Sequence, residues 1–115
     1  MTDLTTKRCS QCEPGTPSLN EDERNALGRD VPEWKVIEGK KLRREYTFKT
    51  YMDGVAWVQL AGAISDGEDH HPDIHIFYKR VVLDLWTHTV HGLSENDYIL
   101  AAKLDQSYTS FPGKR

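Results

Sequence analysis

All five histidines of the chain fall within one short stretch, at His70, His71, His75, His88 and His91. An unperturbed imidazole titrates close to neutrality, so a cluster of them is suited to passing protons to and from a substrate. His70 and His71 are followed directly by Pro72 and sit in a connecting loop, the kind of position from which a rigid scaffold presents functional groups. Two other readings of the same residues stay open. Consecutive histidines also serve simply as polar loop residues, and His71 and His75 are four positions apart, as metal ligands can be. On a strand, however, that spacing spreads side chains along one face, and no cysteine or glutamate joins in a recognised metal pattern. Cys9 and Cys12 are half of a four-ligand zinc site. Their Ser, Thr, Pro and Gly surroundings offer neither the strand end nor the helix start of a thioredoxin-like centre, so the pair reads as incidental and reduced.

The elements that must position the histidines follow from patterning. Residues 73 to 88 sort cleanly as an antiparallel hairpin. A two-residue turn at Lys79-Arg80 pairs Tyr78 with Val81, Ile76 with Leu83 and Ile74 with Leu85, giving one wholly apolar face. The other face carries Phe77 with Val82, His75 with Asp84 and Asp73 with Trp86. Continued outward, the same register brings His71 opposite His88. Pro72 interrupts the strand there, so proximity is expected and a ladder pair is not. Trp86, on the face away from the core, is placed either at a subunit contact or beside a ligand.

A second hairpin is expected over roughly 34–38 and 41–48, around Gly39-Lys40, with its register open. Three capping patterns mark helix starts: Ser18 with Glu21, closed by Gly28; Thr50 with Asp53; and Ser94 with Asp97, for a helix running to about Ser107. The helix over 50–64 is apolar around most of its circumference, through Met52, Val55, Ala56, Leu60 and Ala63 on one stripe and Trp57, Ala61 and Ile64 on another. One face is expected to cover the sheet and the other to meet a second subunit. The implied class is α+β: a four-stranded antiparallel sheet with helices on one face, in the order α-β-β-α-β-β-α. Residues 1–17, punctuated by Pro14-Gly15 and Pro17, read as a flexible arm contributing little to the core. Residues 18–108 read as the single domain, and 109–115 as a frayed tail.

Composition narrows the classes of function. A chain of 115 residues has room for one compact domain. With 37% hydrophobic and 29% charged residues, it has the composition of a globular protein. Its net charge of −3 provides no global positive field to gather nucleic acid, so direct binding to DNA is not expected. No apolar run is long enough to span a bilayer, which argues against a membrane role. The first residues lack the apolar core of a secretory signal, and the expected location is cytoplasmic.

The run Asp66-Gly67-Glu68-Asp69-His70-His71-Pro72, followed by Tyr78, His88 and Asp97, resembles the signature of the pterin-4a-carbinolamine dehydratase family. The block Gly92 to Asp97, followed by Ile99 to Lys103, is similar to its bacterial-type members, and the likeness extends over roughly residues 18 to 106. Two positions depart from the pattern: Lys79 stands where many members have Asn, and Ile99 replaces an aromatic residue.

The resemblance implies a lyase that removes water from a 4a-hydroxytetrahydropterin to give the quinonoid dihydropterin, recycling the pterin. The pterin is then the substrate, and neither an organic cofactor nor a metal is required. His70 and His88 are assigned to proton exchange and His71 to positioning the pterin. Asp66 and Tyr78 match family positions that support the site. Asp97 matches another, although as the third residue of its helix it equally serves as a cap. The family also implies dimers or tetramers, and an aromatic amino acid hydroxylase as the source of the carbinolamine. An alternative within the same fold is a non-catalytic coactivator or assembly-factor module acting through the apolar helix.

Overall fold

The structure, a computed structural model, describes residues 3–115. Its elements are α1 (Glu21–Gly28), β1 (Lys35–Ile37), β2 (Lys41–Thr47), α2 (Tyr51–Glu68), β3 (Asp73–Phe77), β4 (Arg80–Leu85) and α3 (Glu95–Thr109), with single-turn 3-10 helices at Leu4–Thr6 and His88–Val90. The strands make one four-stranded antiparallel sheet in the order β1-β2-β4-β3. This is the α+β arrangement that the sequence pattern implies. None of the described helices is long and apolar enough to cross a membrane.

Alternation along the strands decides which face is covered. Leu42 and Tyr46 of β2, with Val81, Leu83 and Leu85 of β4, are buried against Trp57 and Ala61 of α2 and against Ile99, Leu100 and Leu104 of α3. The intervening residues face outward and pair across strands, Arg43 with Asp84 at 2.7 Å and Arg80 with Glu45 at 2.9 Å. The Arg43 guanidinium, first through its hydrogen bond, holds the Asp84 carboxyl below the usual carboxylate range against the opposing effect of burial.

Local signals set the helix ends. The Thr50 hydroxyl accepts the Asp53 N–H at 3.1 Å and starts α2. At α1 the cap is Asn20 rather than Ser18, in a reciprocal box with Glu23. The Leu19 N–H before it bonds the Leu93 carbonyl at 2.8 Å, tying this start to the segment that precedes the last helix. Gly54, Trp57, Ala61 and Ser65 form the buried stripe of α2, while Tyr51, Met52 and Leu60 are exposed. The helix continues past Ile64 to Glu68 and is stopped by Asp69, whose left-handed φ of 52° turns the chain toward β3. Asp tolerates that conformation better than most residues.

The β3–β4 register differs from the expected one by two residues. Ile76 faces Val81 instead of Leu83, Ile74 faces Leu83, and the turn is Tyr78-Lys79. A shift of two leaves every side chain on its own face, so apolar sorting cannot distinguish the two registers. Contacts outside the hairpin do. Arg80 pairs with Thr47 of β2, and the Phe48 N–H bonds the Lys79 carbonyl.

Both ends of the chain are more engaged than their composition indicates. Leu4 is 2% exposed and packs in the core, contrary to the expectation for the arm. Ser10 and Asn96 exchange hydrogen bonds, and the Cys9 N–H bonds Glu68. In the tail, Phe111 packs against Phe48, while Lys49 and Arg115 donate backbone hydrogen bonds to Gly113 and Thr47. A Cβ at Gly113 would lie 2.6 Å from the Asp53 carboxyl carbon, so this closure needs glycine.

A polar hub ties α3 to the sheet. The Asp105 carboxylate accepts from Trp34 Nε1 at 2.9 Å, from Arg44 at 2.7 Å and from the Tyr46 hydroxyl. Burial, and next the Asp105 charge, push the Tyr46 phenol well above its ordinary range and keep it a donor. Asp105→Ala leaves these donors unpaired around a mostly buried site. It is expected to lower unfolding free energy by about 3 kcal/mol, measured by urea denaturation. A loss below about 1 kcal/mol would show that the hub contributes little to stability.

Candidate active site

The turn at Asp69 delivers two consecutive histidines to opposite sides of the chain, as extended backbone requires. His70 turns inward, with 13% of its side chain exposed, and its Nε2 lies 2.6 Å from Oδ1 of Asp97. His71 turns outward, where its Nε2 is 3.1 Å from the exposed Asp66 carboxylate. Across from them β4 ends at Leu85. Trp86, Thr87 and His88 carry the chain on, with the His88 ring 4.8 Å from the Trp86 ring.

Asp97 is fully buried at the start of α3. Its Oδ2 accepts the Ser94 N–H at 3.0 Å and the Thr87 hydroxyl at 2.8 Å, while Thr87 and Ser94 share a hydroxyl contact at 2.7 Å. The carboxylate is therefore both the cap of its helix and the partner of His70. Because it is an acceptor, neutral His70 donates from Nε2 and keeps the lone pair on Nδ1. A fixed imidazole with one committed nitrogen and one free nitrogen is the arrangement of an oriented general base.

His70, His71 and His88 line one cleft of about 440 Å³, together with Asp69, Pro72, Asp73, Trp86, Thr87 and Thr89. Its size falls within the range of small-molecule sites. His71 and His88 border the same cleft, although the hairpin register from which their proximity was expected is different. Trp86 takes the place beside this cleft. Asp66 touches the site through His71. Tyr78 is not brought to it: the residue is 72% exposed in the turn at the opposite end of β3, with Lys79 against its ring.

Thr87, Thr89 and Asp69 are site residues that sequence reasoning missed. Thr87 carried no motif, and its part depends on tertiary contact with Asp97. Asp69 had a usable signal, since Asp is among the few residues that end a helix in the left-handed region. On the other side of His70 a second hollow is lined by Cys9, Cys12, Glu68 and Asn96. Burial, and next the charge of Glu68, push the Cys9 thiol up to about 12, so it is held as the unreactive thiol. Among the described residues no three His, Cys, Asp or Glu side chains converge as a metal set.

Substituting Asp97 with Asn tests the dyad. The amide oxygen must keep the Ser94 N–H, which turns the amide NH₂ toward His70 Nε2 and forces its proton onto Nδ1. Nitrogen-15 NMR of the imidazoles is expected to report the Nε2–H tautomer in the wild type and the Nδ1–H tautomer in Asp97→Asn. An unchanged tautomer would contradict the assigned role of Asp97.

The chain is similar to known proteins over most of its length. The family model described as pterin 4 alpha carbinolamine dehydratase matches residues 17–107. A protein of Nitrosospira multiformis is 44% identical over 103 residues, covering 90% of each chain. One of Alkaliphilus metalliredigens is 37% identical over 107 residues, covering 92% of this chain and 96% of its own. Both bear the name pterin-4-alpha-carbinolamine dehydratase provisionally. Among solved structures, a transcriptional coactivator/pterin dehydratase from Brucella melitensis superposes with a TM-score of 0.73 at 28% identity, covering 78% of this chain and 97% of its own. A pterin dehydratase-like RuBisCO assembly factor of the alpha-carboxysome shares the fold, with a TM-score of 0.57 at 22% identity over 65% of this chain and 88% of its own. With the histidine cleft and these matches together, the chain belongs to the pterin 4 alpha carbinolamine dehydratase family.

Proposed function

We propose that the chain catalyses dehydration of a 4a-hydroxytetrahydropterin to the quinonoid dihydropterin. The observation that carries this reading is the convergence of three imidazoles on one cleft, one of them fixed by a buried carboxylate. In the reaction a base removes the N5 proton, the freed electron pair forms the N5=C4a double bond, and the C4a–O bond breaks. The hydroxyl leaves as water after receiving a proton from an acid. One base and one acid on the two sides of a bound ring are sufficient.

His70 supplies the base. Its Nδ1 lone pair is free, and the imidazolium formed on accepting the N5 proton is stabilised by Asp97 at 2.6 Å. His88, exposed and held against Trp86, is the acid for the departing hydroxyl. His71, steadied by Asp66, borders the ring and contributes to binding. Water returns the net proton from His70 to His88 between turnovers. The reaction needs no cofactor, and the pterin is the substrate. The exposed Met52 and Leu60, outside the buried stripe of α2, mark the face on which we place self-association of the chain.

Dehydration is followed by stopped-flow absorbance with synthetic 4a-hydroxytetrahydropterin. His70→Ala and His88→Ala are each expected to lower kcat by roughly 10²- to 10⁴-fold, and His71→Ala to act mainly on KM. Full activity in both His70→Ala and His88→Ala would overturn the proposal. In the second reading the chain is a binding module, as the coactivator part of the Brucella melitensis protein's name describes for that protein. The exposed apolar residues of α2 favour it, and loss of function in Leu60→Glu with retention in the histidine variants would select it.

A further inference from the structure

The histidine cleft does not end at His88. Trp86 and His88 are also the wall of an adjoining hollow of about 310 Å³, completed by Lys40, Lys41, His91 and Gly92. Two lysines and two imidazoles therefore border it, and no acidic residue lines it. In a chain with a net charge of −3 this is a local concentration of positive charge, not a general property of the surface.

The lysines are uncommitted. Neither has a carboxylate within ion-pair distance among the described residues. Asp84, whose carboxyl feels the Lys41 charge, is already taken by two hydrogen bonds from Arg43, at 2.7 and 3.1 Å. The Lys41 ammonium lies 4.8 Å from the centre of the Trp86 ring, which borders both hollows. On the other side, His91 is held in a left-handed conformation, with φ of 55°, by its N–H bond to the His88 carbonyl and by the Thr87–Gly92 bridge. Strained non-glycine backbone of this kind tends to gather at ligand sites.

We propose that this hollow is an anion subsite, which receives a phosphate or carboxylate carried on the C6 substituent of the pterin while the ring occupies the histidine cleft. The inference rests on the cleft being the pterin site and extends it by naming the substrate class. Because Trp86 and His88 border both hollows, a substituent reaching past them from a ring in the histidine cleft enters the second hollow. Lys40 and Lys41 then meet an anionic terminus at the distance of a side chain, whereas a neutral terminus gains nothing from them.

Calorimetric titration of stable, fully oxidised pterins separates the possibilities, with three probes sharing one ring: a neutral hydroxyalkyl pterin, its phosphate monoester, and pteroylglutamate. One anionic probe is expected to bind at least about tenfold tighter than the neutral one, with the advantage falling as salt is raised. A gain confined to the phosphate monoester assigns a phosphate, and a gain confined to pteroylglutamate assigns a carboxylate. The double variant Lys40→Gln/Lys41→Gln is expected to remove the advantage and leave affinity for the neutral pterin within about twofold. Equal affinity for all three probes, or equal weakening of all three in the variant, overturns the subsite. Tight, lysine-dependent binding of an anionic pterin by a chain that dehydrates none of the corresponding carbinolamines would keep the subsite and remove the proposed activity.

Discussion

The buried carboxylate of Asp97 is the interaction on which the site depends. It accepts hydrogen bonds from three separate segments: the Ser94 N–H at the start of α3, the Thr87 hydroxyl beyond β4, and the His70 imidazole beyond α2. A fully buried carboxylate is tolerated only where its acceptor sites are filled, so each partner stabilises the placement of the others. The same residue that helps start the last helix thereby commits Nε2 of His70 and leaves Nδ1 as its second nitrogen. One side chain thus caps its helix and also holds a histidine that lines the cleft.

Much of the scaffold around that carboxylate was legible because it is local or periodic. The Thr50 and Ser94 helix starts, the alternation of β2 and β4 and the element order all follow from short-range patterns. The β3–β4 register was not, since a two-residue shift preserves every apolar face, and the choice rests on Arg80 and Phe48 meeting other elements. Asp105 was equally hidden. Its donors come from Trp34, Arg44 and Tyr46, and no spacing in the sequence announces that they meet. The arm looked loose by composition, yet Leu4 fills a place in the core.

The candidate site divides in the same way. The histidines were visible as a cluster, and Pro72 and the helix pattern put two of them in a loop. Their different surroundings were not visible in the spacing, because they follow the left-handed turn at Asp69, with His70 against the buried Asp97 and His71 against the exposed Asp66. Tyr78 shows the reverse case. It matches the family pattern in sequence, but the hairpin carries it to the end of the sheet away from the cleft. Thr87, which no motif marked, lies at the centre of the hydrogen-bond network.

The dependence of catalysis on Asp97 is the central claim. The most direct measurement is the first-order decay of a synthetic 4a-hydroxytetrahydropterin in the presence of the wild-type chain and of Asp97→Asn, with circular dichroism confirming that both are folded. A marked acceleration by the wild type and a loss of most of it in the variant are expected, because the His70 lone pair has moved from Nδ1 to Nε2, where the amide holds it. Equal acceleration by both, or none by the wild type, would contradict it.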